Sequence, residues 1–346
     1  MHYVVTSTLP AEFAGRTKAL LERTRMLSEQ GQLPITIIST NYNPNFNSVC
    51  QLYYKKGYIP KQVKLTNIYD FLSKRTYDVQ EVDHPKEEKG LTRYEVEKDK
   101  FYRYFDNGKF VLYKNYESPG NRLKFIDVMD LHHRRRKIRK EYNHAGLCHK
   151  ETIYKQGTAC ILEEIFLDEA GKAYLNKTYN GTAEQKLMHI YLFQGEEAVE
   201  FKTEKEWIRY CFEQMIDKHS TVICEARFLD QPLLEMNVAK VKKILSFHSS
   251  HLNSHDLNDV KPPYRYALEH TDALDEIVVS TAEQKEDLAA VAPVAEKVSI
   301  IPHSVELEKS GTSGSRRSDG LFLENWLSLL KEPRPASPFN KFFKRA

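Results

Sequence analysis

The 346-residue sequence lacks any apolar run approaching the ~18 uninterrupted residues that a membrane-spanning helix needs. Its start, MHYVVTSTLP, has no charged segment ahead of a long apolar one, as a secretory leader would. These absences predict a cytoplasmic protein with no transmembrane segment. Cysteine is scarce too: five residues, an odd number with no CxxC pair, which argues against a disulfide framework and a structural zinc site and for reduced thiols. Net charge is nearly missing, since 51 Lys and Arg against 48 Asp and Glu leave only +3. The totals therefore demand neither nucleic acid nor an anionic membrane as partner, and any basic function must be local.

The length suits two or three folding units, or one domain with a large insertion. Near the start, HYVVTST, GRTKALLERTRMLSEQG and ITIIST read as a β-α-β unit. The helix groups Ala19, Leu20, Met26 and Leu27 on one face, leaves Arg16, Lys18, Glu22 and Arg25 to solvent, and has Gly31 as a C-cap. From Thr221 the alternation resumes with TVICEA, KILSF, EIVVST and KVSIIP, nearly continuous in apolar residues as buried parallel strands are. Helical segments at Tyr264 to Thr271 and Ala282 to Val291 separate them. The expected fold class is α/β: a Rossmann-like parallel sheet covered by helices.

The middle has a different period. From about Tyr77 to Glu200 the chain alternates in twos, with hairpin signals at Asp106-Asn107-Gly108 and Asp168 to Gly171. This predicts an antiparallel β-rich insertion, whose many tyrosines offer surface for self-association. The expected division is residues 1–75 with 201–307 as the Rossmann-like domain, 76–200 as the insertion, and 308–346 as a linker and disordered tail with one short helix around Leu323 to Leu330.

Three stretches carry candidate chemistry. The loop Thr8 to Gly15 leads into Arg16-Thr17-Lys18 at a helix start, where free N–H groups and positive charge bind phosphate, although the stretch has neither GxGxxG nor a P-loop and also reads as an ordinary turn. His248, His251 and His255 follow KILSF, at the carboxyl edge where open α/β sheets place ligands. They read as surface histidines or as contacts to a polar substrate or phosphate. A metal is the weaker alternative, because HxxH-x3-H lacks the HExxH glutamate. The run HHRRRKIRK, His132 to Lys140, either contacts phosphates or lines a solvated sheet face.

Taken together, TSTLPAEFAGRTKALLERTRML, ILSFHSSHLNSHDLND and DEIVVSTAEQKEDLAAV with EKVSIIPHSVE resemble the N-terminal half of retaining GT-B glycosyltransferases of the family-4 type. The nearest likeness is to the poly(glycerol-phosphate) α-glucosyltransferases of wall teichoic acid synthesis, whose Rossmann-like domain is also interrupted by a β-rich oligomerisation domain. The stretch RLKFIDVMDLHHRRRKIRKEYNHAGLCHKETIY is similar to that insert. The resemblance implies transfer of glucose from UDP-glucose to a polyol-phosphate polymer, with no further cofactor and no metal, and a homo-oligomer held by the insert. It places His248 against the transferred sugar as a neutral imidazole donating to a hydroxyl, with His251 in support, and Gly15, Arg16 and Lys18 near the donor phosphates or the polymer. It also implies a second Rossmann domain with an E-x7-E motif. The about forty residues after IIPHSVE hold no counterpart, which implies a truncated or frame-shifted chain, or a partner supplying the other half. Alternatives are glycosylation of serine/threonine-rich adhesins and a noncatalytic assembly subunit binding polyanion through Arg134 to Lys140.

Overall fold

The computed structural model describes residues 1–117, 121–254, 256–302 and 316–331, with side chains of the last segment described for 322–330. Its first part runs β1 (His2–Thr6), α1 (Gly15–Glu29), β2 (Ile35–Ser39), α2 (Phe46–Lys55), β3 (Lys64–Asn67) and α3 (Ile68–Ser73). Ten strands follow: β4 (Thr92–Glu97), β5 (Phe101–Asp106), β6 (Lys109–Tyr116), β7 (Leu123–Met129), β8 (Arg136–Tyr142), β9 (Cys148–Tyr154), β10 (Ile161–Leu167), β11 (Ala173–Tyr179), β12 (Leu187–Gln194) and β13 (Glu197–Phe201). The α/β pattern then returns with α4 (Glu204–Met215), β14 (Thr221–Cys224), α5 (Asp230–Leu234), β15 (Lys242–Ser246), α6 (Pro262–Glu269), β16 (Glu276–Val279), α7 (Ala282–Val291), β17 (Val298–Ile300) and α8 (Arg316–Lys331).

Seven strands form one parallel sheet in the order β17-β16-β15-β14-β1-β2-β3, so both ends of the chain share it. TVIC pairs directly with HYVV, Val4 opposite Ile223. This is the α/β fold with an antiparallel insertion that the two periods predict. Alternate side chains enter two cores, because successive strand residues point to opposite faces. Tyr3, Val5 and Ile38 face one; Val4, Ile35 and Ile37 face the other with Leu20 and Leu27 of α1. Helix α1 ends at Glu29 with Gln30, not the expected Gly31, as its C-cap, and glycine is required at the following position 31. A Cβ at Gly31 would lie 2.6 Å from the Leu27 carbonyl oxygen and 2.9 Å from Leu327 of α8.

The inserted strands form an antiparallel meander from β4 to β13. The hairpin signal between β5 and β6 is realised with positive φ at both Asn107 (43°) and Gly108 (79°), as a tight primed turn requires. The insert does not stand clear of the parallel sheet: Phe166, Tyr174, Leu175, Ile190, Leu192 and Phe201 join Trp207, Val222 and Leu245 in one continuous core. Its far end has a small core of its own, Tyr102, Tyr104, Tyr116 and Leu123.

Within 308–346 the helix expected around Leu323 to Leu330 is present and longer, while the linker and disordered tail expected at 308–315 and 332–346 lie outside the described residues. Residues 316–331 form a helix of four turns whose Phe322, Trp326 and Leu330 are buried in the same core as Leu20, Val4 and Ile244. Spacing by four puts all three on one stripe, and burying such side chains contributes roughly 1.5–3 kcal/mol each. Lys242 Nζ donates to the Leu329 carbonyl at 2.5 Å, satisfying an end carbonyl of that helix.

A buried carboxylate behind the sheet-edge histidine

Helix α1 leaves β1 at the carboxyl edge of the parallel sheet, and the segments after β14 and β15 emerge at the same edge. Three side chains meet there. Arg23 comes from the buried side of α1, Glu225 directly follows β14, and His248 lies two residues beyond β15. Glu225 is fully buried, its backbone N–H donates to the Val5 carbonyl at 2.9 Å, and its two oxygens are divided between partners. Oε1 accepts from Arg23 Nη2 at 2.5 Å, and Oε2 lies 2.5 Å from His248 Nε2. Burial alone would push this carboxyl up. Arg23 and His248 outweigh it and hold the Glu225 carboxyl at about 2, so it is a carboxylate at neutral pH. The Trp326 ring covers the Arg23 guanidinium at 4.8 Å.

Support comes from the next loop and the 3-10 turn Arg227–Leu229. Arg227 Nη2 donates to the Cys224 and Ser246 carbonyls at 3.0 Å each, tying the ends of β14 and β15, and its guanidinium lies 4.3 Å over Phe247. Asp230 pairs with it at 3.3 Å, and burial pushes the Asp230 carboxyl up to about 6 against that pairing. Beyond His248, Gln284 donates to the Ser249 carbonyl at 2.9 Å and Lys261 Nζ to the Ser250 carbonyl at 2.8 Å. The loop is thus fixed by side chains from α7 and the start of α6. Only 13% of the His248 side chain is exposed.

The other expected residues separate. His251 is fully buried against the Tyr264 ring, neither ring nitrogen has a hydrogen-bond partner among the described residues, and desolvation lowers its pKa. It packs inside the loop and does not present itself at its surface. His255 lies outside the described residues. Gly15 opens α1 with φ +30° and space around the position of a Cβ; Arg16 is exposed, and Lys18 turns toward Glu22 at 3.7 Å. Ala14 at the N-cap offers no side-chain acceptor, and the first turn has no acidic residue, so its N–H groups and charge favour an anion. It is Arg23, not these three, through which α1 reaches His248.

The basic run divides. Arg139 makes a bidentate pair with Asp127 at 2.7 and 2.8 Å, and Lys140 pairs with Glu151 at 2.8 Å, across neighbouring strands. Arg134, Arg135, Arg136 and Arg103 line a cup of about 400 Å³ whose wall also holds the Arg139–Asp127 pair. These four have no carboxylate partner among the described residues, and Arg136 stacks over Tyr154 at 4.7 Å. A larger cavity of about 1060 Å³ lies between α2, α3 and the strands β11 and β12, lined by Phe71, Arg75, Tyr174 and Gln194 among others. It includes none of the sheet-edge residues. Among the described residues no group of three His, Cys, Asp or Glu side chains could hold a metal ion, and no helix is long and apolar enough to cross a membrane.

No protein-family model matches the chain. Among curated proteins it is 24% identical over 326 residues to the poly(glycerol-phosphate) alpha-glucosyltransferase of Bacillus subtilis strain 168, covering 88% of this chain and 47% of that protein. It is 21% identical over 302 residues to the poly(ribitol-phosphate) alpha-N-acetylglucosaminyltransferase of Staphylococcus aureus strain COL, covering 83% of this chain and 58% of that protein. The chain therefore spans about half the length of these relatives. Among solved structures, a mutant of S. aureus TarM in complex with fondaparinux, alpha-GlcNAc-glycerol and UDP superposes with a TM-score of 0.76 at 18% identity, covering 90% of this chain and 63% of that one. The resemblance to GT-B glycosyltransferases of this type is thus present in both sequence and fold.

Proposed function

We propose that this chain forms the acceptor-side part of a hexosyltransferase that moves glucose from UDP-glucose to poly(glycerol-phosphate). The observation that carries the reading is the likeness to the B. subtilis glucosyltransferase along 88% of the chain. On this reading residues 1–75 with 201–307 are the catalytic Rossmann-like domain and 76–200 an oligomerisation domain. His248 contacts the transferred sugar at the sheet edge, and His251 fixes the loop from within. Gly15, Arg16 and Lys18 meet the donor diphosphate at the uncapped start of α1, with no metal. A site of this kind works by holding the reacting groups in place and matching charge that develops on the leaving diphosphate. Because the chain spans about half of its relatives, the rest of the donor site is assigned to a further domain or partner.

Two features favour a polyanionic acceptor over an adhesin: both curated relatives are named for polyol-phosphate polymers, and one cup in the insert is lined by five arginines against the single carboxylate of Asp127, which pairs with Arg139. The test is transfer from labelled UDP-glucose, by the chain alone and completed with a donor domain, to glycerol-phosphate polymer, ribitol-phosphate polymer and a serine/threonine-rich peptide. Label on the glycerol-phosphate polymer is expected only from the completed enzyme. Label on the peptide alone overturns the acceptor, and tight polymer binding with no transfer by any completed form favours an assembly subunit.

A further inference from the structure

We propose that Glu225, locked by Arg23 beneath Trp326, is a positioning residue for His248, holding the ring with a proton on Nε2 so that the neutral imidazole can only accept at Nδ1. A carboxylate has acceptors and no donor, so the 2.5 Å approach of Glu225 Oε2 to His248 Nε2 requires a hydrogen on that nitrogen. A neutral imidazole carries one N–H, and which nitrogen bears it is set by the partner of the other side of the ring. With Nε2 as the donor, Nδ1 holds a lone pair. This reverses the polarity expected from the sequence, in which His248 donates to a sugar hydroxyl: any hydrogen bond at Nδ1 of the neutral ring is one in which the ring accepts.

The carboxylate could serve in this way only if it is itself immobile and ionised. Both conditions are built in. Its other oxygen is taken by Arg23 at 2.5 Å, its backbone is tied to β1 through Val5, and it has no exposure through which water could substitute for either partner. Trp326 closes the far side of the guanidinium, so α8, which the sequence places in a tail, completes the wall behind the histidine. The relay Trp326, Arg23, Glu225, His248 thus connects the outer helix to the sheet edge through side chains from four separate segments. Its significance for sugar transfer rests on the function proposed above; the protonation pattern does not.

The test uses the 346-residue chain with nitrogen-15-labelled histidine at about pH 8.5, where an ordinary histidine is neutral. The His248 signals are identified by their loss in a His248→Asn variant. Expected are a pyrrole-type Nε2 and a pyridine-type Nδ1. In the Arg23→Met/Glu225→Leu double variant, which removes both buried charges together, the two nitrogens should move toward the averaged values of an exchanging ring. A pyridine-type Nε2 in the unmodified chain overturns the proposal, and so does an unchanged ring signature in a folded double variant. If that variant does not fold, the first spectrum decides alone. A fixed Nε2 proton in a completed enzyme that transfers no sugar would remove the proposed function and leave this inference standing; transfer by an enzyme with the opposite tautomer would do the reverse.

Discussion

Arg23 and Glu225 stand 202 positions apart in the chain and 2.5 Å apart in the fold, both withdrawn from solvent. Such a pair is worth little as a net source of stability, because the desolvation of two charges offsets their attraction, but removing one partner alone strands the other. Glu225→Ala should therefore cost about 3–5 kcal/mol. Arg23→Met/Glu225→Leu, which fills the space with apolar atoms, should cost much less. Urea unfolding of the two variants checks the ordering, and equal losses would show that the pair is not the unit described.

Acid should act through the same carboxylate. Glu225 is held at about 2 in the folded chain against an ordinary value of 4.5, so its contribution is complete above 4.5 and is lost as the pH falls from 4.5 toward 2. The double variant should lose less stability over that interval than the unmodified chain. Asp230 has the opposite sign: burial raises it to about 6 from 3.8, so the folded chain takes up a proton first and gains stability on acidification from 7 to 5. Asp230→Asn cannot make that gain, and its destabilisation relative to the unmodified chain should be larger at pH 5 than at pH 7.5. Unfolding curves at the two values decide it.

How much of this was readable beforehand depends on the kind of signal. The strands β14 to β17 are legible because buried parallel strands are runs of apolar residues, and the β5–β6 turn because Asn107-Gly108 is chemically specific for positive φ. The Arg23–Glu225 contact is not, since it depends on how α1 lies across the sheet. A clue was present: Arg23 is three residues from Leu20 and four from Leu27, which puts a charge on the apolar face of its helix. An acid immediately after the four buried residues of TVIC was a second. The helix around Leu323 to Leu330 is legible, with Phe322, Trp326 and Leu330 repeating every fourth residue, but its start at Arg316 and its burial in the core are not, because the flanking SGTSGSRRSD reads as linker. His248 itself was placed correctly at the sheet edge, whereas the interior position of His251 depends on how the loop folds back under Tyr264.

Helix α8 should therefore behave as part of the fold. Trp326 is buried and covers Arg23, and Trp326→Ala is expected to cost about 3–5 kcal/mol, the range for removing a large aromatic side chain from a core. A loss below about 1 kcal/mol in chemical denaturation would mean that the helix is not held as described.

Self-association through the insert has a particular edge to test. Strand β4 ends the ten-stranded sheet, is exposed along its length, and presents Tyr94 and Val96 at 59% and 44% exposure. An open edge with apolar side chains is a template for pairing with another chain. Deleting the insert would be an unsound test, because its strands β10 to β13 complete the core of the parallel sheet. Tyr94→Lys/Val96→Lys should instead leave the fold intact and lower the mass measured by light scattering. An unchanged oligomer would move the interface elsewhere on the insert.

The two described histidines of the loop should separate chemistry from folding. His248 is partly exposed, held by a buried carboxylate at an edge where parallel sheets carry ligands, and its replacement removes a positioned polar contact. In the completed enzyme His248→Ala should reduce turnover by roughly ten- to a thousand-fold while leaving the thermal midpoint close to that of the unmodified chain. His251 is buried with its ring against Tyr264, so His251→Ala leaves a cavity in the loop and should lower the midpoint, with turnover falling only as far as the loop loosens. Saturation at high UDP-glucose separates weaker binding from slower transfer. If a metal were needed, EDTA would abolish transfer and both variants would fail alike; if turnover survives in His248→Ala, the reacting sugar lies elsewhere along the sheet edge and Glu225 holds the histidine for the loop's sake alone.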